Sequence, residues 1–167
     1  MATFEEAMKL LVDEAEALSI GMSVEDKKEV TKAGAKVFQK ALEAQVVRKH
    51  YRYRKTGENP HLSEGIKVKN TNIDNVADGQ SIVGWERSTK AGTNTKGYIA
   101  NIINNGSRIP QFTTRSGRKY KNPGAVAINA DHFIEETREN PIVQEMILTA
   151  ESEALRRIIN RRNKNKK

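Results

Sequence analysis

The chain has no cysteine among its 167 residues, which excludes disulfide bonds, zinc–thiolate sites and cysteine nucleophiles. It has only three histidines. No two of them lie three or four positions apart, so we expect no metal site. No apolar run approaches the roughly 20 residues that cross a bilayer, and the acidic first residues are not typical of a secretory signal. These absences predict a soluble protein made in a reducing cytoplasm, with no membrane partner and no cofactor.

Signatures of common enzyme classes are missing as well. There is no P-loop, no G-x-G-x-x-G turn after a strand and no G-x-S-x-G nucleophile motif. Glu135 and Glu136 could act with a histidine as in a nuclease, but the helix dipole alone favours glutamate near a helix start. We therefore predict no catalytic residue and no enzymatic activity.

Charge is plentiful by contrast, with 29 lysines and arginines against 21 aspartates and glutamates, a formal net charge of +8. Residues 1–22 are mainly acidic, whereas residues 48–55, 108–121 and 156–167 are basic and contain no acid. Such asymmetry is typical of proteins with a polyanion partner, usually nucleic acid. It fits equally well an oligomer in which acidic and basic faces of identical subunits meet. The composition leaves both interpretations open.

Two helices are predicted in the N-terminal part, residues 1–55. Apolar residues recur at helical spacing over 3–18 and again from about 24 to the low fifties. Ser23 is the expected N-cap of the second helix. Ala33 and Gly34 lie on its apolar stripe, which indicates close approach of another backbone.

Residues 56–130 are predicted to form a small antiparallel or mixed sheet around a short helix and a basic loop. Strands are expected at 66–70, 80–85 and 124–128. The short helix, 98–105, has an apolar face, and Asn105-Gly106 ends it. That face consists of Tyr98, Ile99, Ile102 and Ile103. Because two turns of helix do not fold alone, this helix must dock on the sheet.

Residues 131–160 are predicted to be helical, with Asp131 as N-cap and a break at Pro141. The apolar stripe after the break consists of Ile142, Met146, Ile147, Ala150, Ala154 and Ile158. The basic tail at 161–167 is too charged to pack and is expected to fray. The chain is thus predicted to be a single α+β domain, with its long helices at the two ends.

The segment after the short helix, residues 107–122, is interpreted as a long basic loop, and such loops are usually functional or disordered. Its candidates for contact with a neighbouring subunit or with DNA in a lumen are Arg108, Phe112, Arg115, Arg118, Lys119, Tyr120 and Lys121. Trp85, the single tryptophan, is either a core residue or an interface anchor. His50 is assigned to a solvated basic face, and His132 is expected to pack beside Phe133 or to cap a helix.

Four motifs follow one another between residue 56 and about residue 140. They are Thr56-Gly57 with His61-Leu62-Ser63-Glu64-Gly65-Ile66, then Val83-Gly84-Trp85, then the short helix from Tyr98 to Gly106-Ser107, and Ala130-Asp131-His132-Phe133. Their order resembles the head–tail joining, or tail-completion, family of long-tailed double-stranded DNA bacteriophages. That family has an acidic residue and Gly-Thr at the end of the short helix and proline before Phe133, where this chain has Asn104-Asn105, Gly106-Ser107 and His132. The motif residues with an expected structural role are Gly57, Leu62, Ile66, Gly84, Tyr98, Gly106 and Phe133.

The resemblance implies a structural virion protein without a catalytic role. Family members form rings, commonly hexameric, in the neck between the head connector or stopper and the tail terminator or tail tube. The genome passes through the ring, which implies nonspecific contact with DNA in the lumen. Synthesis would occur in the cytoplasm of the bacterial host. An acidic helix at 3–18 docked on a basic surface of the next copy would give a head-to-tail interface.

The alternative function is that of a sequence-nonspecific nucleic-acid-binding protein. It would use the basic loop and the C-terminal tail, and its affinity would fall steeply with salt.

Overall fold

A computed structural model describes residues 21–51, 53, 61–85, 96–113 and 119–164. Within these ranges the chain has an α+β fold, as predicted from the sequence. Its elements are α1 (Val24–His50), β1 (Ile66–Lys69), β2 (Ile82–Trp85), α2 (Lys96–Asn105), β3 (Ser107–Thr113), β4 (Lys119–Ile128), α3 (Phe133–Glu139) and α4 (Pro141–Lys164). The predicted helix at 3–18 and the motif residue Gly57 lie outside the described residues.

The chain divides into two compact units. The first, which we call the terminal unit, consists of the described residues of Met1–Val37, Val68–Ile82 and Met146–Lys167. The second, which we call the central unit, consists of the described residues of Phe38–Lys67 and Val83–Glu145. The two long helices, α1 and α4, contribute residues to both units. The predicted single domain stays a prediction.

Helix α1 begins where the sequence predicts. The hydroxyl of Ser23 accepts a hydrogen bond from the backbone N–H of Asp26 at 3.1 Å, so Ser23 is the N-cap. Glu25 and Asp26 lie in the first turn, and the last turn ends at His50 with basic residues. This distribution of charge is favourable at both ends of the helix dipole.

The core of the central unit forms around Phe133, which is 0% exposed. Leu42 and Val46 from α1, Ile66 from β1 and Ala100 from α2 are buried with it. Partly buried side chains pack against this cluster, namely Phe38, Leu62, Val83, Trp85, Ile103 and Ile134. Burial of this apolar surface is the main favourable contribution to folding of the unit.

In the terminal unit, the buried apolar residues are Ala35, Ala154 and Ile158. Gly34 of α1 lies against the side chain of Glu151, so that a Cβ added at Gly34 would collide with the carboxylate. The close approach expected at Gly34 is therefore present, but the neighbour is a side chain and not another backbone. Burial raises the pKa of the Glu151 carboxyl group.

Helix α4 differs from the prediction at both of its ends. Asn140 separates α3 from α4, so the predicted break at Pro141 is confirmed. Ile142 and Met146 are 68% and 55% exposed, so the first part of the predicted apolar stripe is wrong. The helix also continues to Lys164, although the tail was expected to fray from residue 161. No helix in the described part of the chain has the length and apolarity needed to span a membrane.

Helix α2 confirms the predicted short helix and begins two residues earlier, at Lys96. Its buried residues are Ala100 and Asn104, whereas Tyr98 is 43% exposed. The predicted inward face is therefore wrong at Tyr98, and it omitted Asn104, because helical spacing of apolar residues does not reveal a buried asparagine. Ile103 does pack against the core, as expected.

Within the described part of the chain, the strands form two separate two-stranded sheets, β1–β2 and β3–β4. The predicted strand at 124–128 therefore does not join the strands at 66–70 and 80–85; it is part of β4 and pairs with β3. The predicted loop at 107–122 is likewise wrong, because most of it lies in these two strands. Pro110 and Pro123 suggested a loop, but proline is tolerated in a two-stranded ribbon, where every strand has a free edge.

Candidate functional site: a basic hairpin on a capped joint

The basic segment forms an antiparallel hairpin, which we call the basic hairpin, Ser107–Ile128. Its register pairs Ser107 with Ile128, Arg108 with Ala127 and Gln111 with Gly124, and it becomes irregular before Thr113 pairs with Lys119. Of the predicted contact residues, Arg108 and Phe112 lie in β3, and Lys119, Tyr120 and Lys121 lie in β4. Arg115 and Arg118 lie outside the described residues. A two-stranded ribbon is marginally stable by itself, so its base must be held firmly.

Gly106 provides the sharp turn from α2 into the basic hairpin. Its φ is +73°, a left-handed conformation that glycine adopts without strain. A Cβ at this position would lie 2.7 Å from the carbonyl oxygen of Ile128 and 2.9 Å from the nitrogen of Ala130. Ser107 and Ile128, which pair at the base of the basic hairpin, therefore lie next to a position where only glycine fits.

Asn104 joins the end of α2 to the start of α3. Its buried side-chain oxygen accepts a hydrogen bond from the backbone N–H of Ile134 at 3.0 Å. Its side-chain nitrogen donates to Glu135 Oε1 at 3.1 Å and to Asn105 Oδ1 at 3.0 Å. Asn104 thus satisfies an N–H in the first turn of α3 that would otherwise have no intrahelical partner.

Backbone hydrogen bonds complete this joint. The N–H of Asp131 donates to the carbonyl oxygen of Ile103, and the N–H of His132 donates to that of Asn104, each at 3.1 Å. His132 occupies the N-cap position of α3 in a left-handed conformation and makes no side-chain cap. The predicted N-cap at Asp131 is therefore wrong, since the cap comes from Asn104 on another helix. We call these contacts, together with Gly106, the capped joint.

Asp131 instead takes part in an ion-pair cluster with the end of α1. Lys49 Nζ lies 3.1 Å from Asp131 Oδ1 and 2.6 Å from Glu136 Oε2, and His50 Nε2 lies 2.7 Å from Asp131 Oδ2. The hydrogen bond to Glu136 outweighs burial and raises the pKa of Lys49. Burial alone would raise the pKa of Asp131, but the hydrogen bonds from Lys49 and His50 outweigh it and lower that pKa.

His50 was assigned to a solvated basic face, and this assignment is wrong. Its ring lies edge-on to Phe133 with 5.1 Å between centroids, and its Nε2 is bonded to Asp131. The aspartate lies far away in the sequence, so the pattern around residue 50 could not reveal it. His50 therefore links the end of α1 to the core beside the capped joint.

The two glutamates considered as acid and base candidates both have structural partners. Glu136 is bonded to Lys49 and also accepts a hydrogen bond from Gln45 at 2.9 Å. Hydrogen bonds from its own backbone N–H and from Asn104 lower the pKa of Glu135. Its Oε2 atom is buried and has no hydrogen-bond partner among the residues that the structure describes.

Trp85 packs inside the central unit. Its indole Nε1–H donates to the carbonyl oxygen of Leu62 at 2.7 Å, and its ring lies 6.2 Å from that of Phe133 in an edge-on arrangement. Trp85 is only partly buried, and contact of its exposed part with another subunit stays a prediction. The carbonyl of Leu62 orients the indole, and that role was not evident from the sequence.

The other motif residues have different surroundings. Ile66 is 2% exposed and Phe133 is fully buried, so both are core residues. A Cβ at Gly84 would meet nothing within 4 Å, which shows no steric need for glycine there. Among the motif residues that the structure describes, only Gly106 is required to be glycine by its conformation.

A second basic surface lies on α4, in the terminal unit. Arg157, Asn160, Arg161 and Lys164 line an open depression of about 330 Å³, which we call the basic depression. Arg161 Nη2 also lies 2.9 Å from Asp26 Oδ1 and 3.2 Å from Glu29 Oε2. These contacts join the side chain of Arg161 to acidic residues near the start of α1.

Arg162 fixes the same end of the helix to α1. Its Nη2 lies 2.5 Å from Asp26 Oδ2. This hydrogen bond, together with those from Ser23 and Arg161, outweighs burial and lowers the pKa of Asp26. The predicted fraying is wrong for residues 161–164, where Arg161 and Arg162 bind an acidic residue near the other end of the chain. Residues 165–167 lie outside the described residues.

Among residues 21–51, 61–85, 96–113 and 119–164, no group of three or more acidic or histidine side chains is arranged to hold a metal ion. No protein-family model, curated protein or solved structure matches this chain.

Proposed function

We propose that this chain is a structural subunit of a homo-oligomeric ring, of six copies, in the neck of a long-tailed bacteriophage. The ring would join the head connector or stopper to the tail terminator or tail tube, and the genome would pass through its opening. The observation that supports this best is the basic hairpin built on the capped joint. A ribbon with many basic residues on a rigid base suits contact with a neighbouring subunit or with a polyanion.

Electrostatics favours the passage of DNA through such a ring. Each copy has a formal charge of +8, so a ring of several copies has a large net positive charge, which attracts a polyanion. Lysine and arginine contact phosphate without reading sequence, as a passage for a whole genome requires. We assign this contact to Arg108, Lys119 and Lys121, which belong to the strands of the basic hairpin.

The proposal gives the protein no catalytic role. The acids close to the capped joint have structural partners: Asp131 and Glu136 bind Lys49, and Glu135 binds Asn104. In the structural role that we propose, these contacts hold the base of the basic hairpin in place.

The test is the assembly state of the purified full-length chain, alone and mixed with the connector and tail-tube proteins of the same phage. We expect closed rings by sedimentation velocity and negative-stain electron microscopy. A chain that stays monomeric under all of these conditions would refute the proposal. The double variant Lys119→Glu, Lys121→Glu should still form rings but should retain less duplex DNA at low salt than the wild type.

A second candidate is a sequence-nonspecific nucleic-acid-binding protein, favoured by the basic depression at the end of α4. Filter binding of duplex DNA over a series of salt concentrations separates the two. Tight binding that falls steeply with salt, from a protein that remains monomeric, favours this second function. Weak binding by an assembled ring favours the first.

A further inference from the structure

A second surface of the terminal unit has the features of an interface. The turn Asn72–Asp78, which we call the apolar turn, exposes Ile73 and Val76 to solvent at 86% and 56%. Isolated exposed apolar residues are common in proteins. Here two of them lie three residues apart on one short turn, so an interface formed at this turn would bury both side chains.

The apolar turn is fixed by its own hydrogen bonds. The side-chain oxygen of Asn72 accepts from the N–H groups of Asp74 and Val76 at 3.0 and 2.9 Å, and its side-chain nitrogen donates to Asp78 at 3.0 Å. The N–H of Asn72 donates to the carbonyl oxygen of Val76 at 2.9 Å. A turn ordered in advance loses little conformational entropy on binding, so its exposed apolar side chains bind more favourably.

A contact to α1 holds the base of the turn. The hydroxyl of Thr31 donates to the carbonyl oxygen of Gly79 at 2.8 Å and lies 2.9 Å from the hydroxyl of Ser81. The apolar turn therefore projects from a fixed position within the terminal unit.

The apolar turn is also locally acidic. Residues 70–85 include Asp74 and Asp78 and no lysine or arginine, in a chain whose net charge is +8. Asp74 is exposed, and no residue in the described ranges forms an ion pair with its carboxylate. Contact with a nucleic acid is therefore unfavourable at this turn, whereas contact with a basic protein surface is favourable.

The same unit presents a complementary surface, the basic depression on α4. It is concave and lined by Arg157, Arg161 and Lys164 with Asn160, whereas the apolar turn is exposed and acidic. Arg157 is exposed. The aliphatic parts of arginine and lysine can cover an apolar side chain such as Ile73 while their charged groups remain near a carboxylate.

We propose that the apolar turn of one copy docks into the basic depression of the next copy, with Ile73 in the depression and Asp74 paired with Arg157. This inference rests on the proposed homo-oligomeric ring and names its interface. The contact joins two different surfaces of identical chains, so it is heterologous. A heterologous contact repeated with a suitable rotation closes into a ring.

Charge reversal on each side tests the contact in the full-length chain. Asp74→Arg and Arg157→Glu should each weaken self-association about tenfold or more in sedimentation velocity. The double variant Asp74→Arg, Arg157→Glu should recover association, because the pair is restored with opposite orientation. Glu139→Arg is the matched control, since it makes the same change of charge at a site whose side chain is 71% exposed.

Ile73→Asp is an independent variant and should also abolish assembly, with an unchanged circular dichroism spectrum. If rings form normally in Asp74→Arg and in Arg157→Glu, the inferred interface is wrong while the proposed ring stands. If the wild type never assembles, both are wrong. If Arg157→Glu instead weakens duplex DNA binding and leaves assembly intact, the basic depression binds phosphate and the inference is overturned.

Discussion

Replacing Gly106 with alanine tests the geometry of the capped joint. Gly106 has a φ of +73°. An added Cβ would lie 2.7 Å from the carbonyl oxygen of Ile128 and 2.9 Å from the nitrogen of Ala130. Both neighbours are backbone atoms, so no side-chain rotation can relieve the contacts. The end of α2 and the end of β4 would have to move apart.

The magnitude follows from two contributions. An alanine held in the left-handed region costs about 1 kcal/mol relative to glycine, and overpacking against backbone costs about 1–3 kcal/mol. Gly106→Ala should therefore lower the free energy of unfolding by about 2–4 kcal/mol. For a chain of this size the melting temperature should fall by roughly 5–15 °C.

The measurement is urea unfolding of the full-length chain followed by far-ultraviolet circular dichroism. Gly84→Ala serves as the matched control, because a Cβ there meets nothing within 4 Å. We expect the control to change stability by no more than about 0.5 kcal/mol. Equal stability of the two variants would show that the close backbone approach at Gly106 does not constrain the fold.

Three further predictions concern single side chains. Asn104→Ala should lower the free energy of unfolding in urea by about 1–3 kcal/mol, because α3 loses its cap. The control Asn101→Ala, on the exposed face of α2, should lower it by about 0.5 kcal/mol or less. Equal losses of stability would contradict the capping role. Trp85→Phe removes one partly buried hydrogen bond, the one to the carbonyl oxygen of Leu62, and should cost about 1–2 kcal/mol by calorimetry. Unchanged stability would contradict this role for the indole. Hydrogen bonding to Arg162 lowers the pKa of Asp26. The contribution of the Asp26 carboxylate to the free energy of unfolding is therefore complete above the unfolded-state pKa of about 4. It is lost as the pH falls through the lower folded-state pKa. The urea midpoint measured from pH 7 to pH 3 should fall less steeply for Asp26→Asn than for the wild type, and identical slopes would refute the assignment.

Local chemistry made much of the helical structure predictable. A hydroxyl at Ser23 caps the helix that follows it, and Pro141 cannot continue the helix before it. Both effects act within a few residues, so they are visible in the sequence. The α+β class followed from the same local patterns.

The errors arose where the partner lies far away in the chain. Asn104 caps α3 from 30 residues upstream, and local spacing favoured Asp131 instead. Arg161 and Arg162 extend α4 because Asp26 binds them. The pairing of β3 with β4 was missed because basic and turn-forming residues in that segment favour a loop when read locally.

The candidate site was only partly predictable for the same reason. The end of the short helix was identified from the pair Asn105-Gly106, because these residue types tolerate a left-handed backbone. The segment after Gly106 forms a paired ribbon because its two strands align in a particular register. No local sequence pattern specifies that register. The apolar turn is similar: its sequence predicts turns, but its anchoring to Thr31 depends on tertiary structure.

The position of the only tryptophan provides a natural reporter. Trp85 belongs entirely to the central unit, so its fluorescence follows unfolding of that unit alone. Circular dichroism follows α1 and α4, which contribute to both units. Coincident transitions by the two methods would show that the shared helices make the chain unfold as one cooperative system. Separate transitions would give the stability of the central unit directly, without any label.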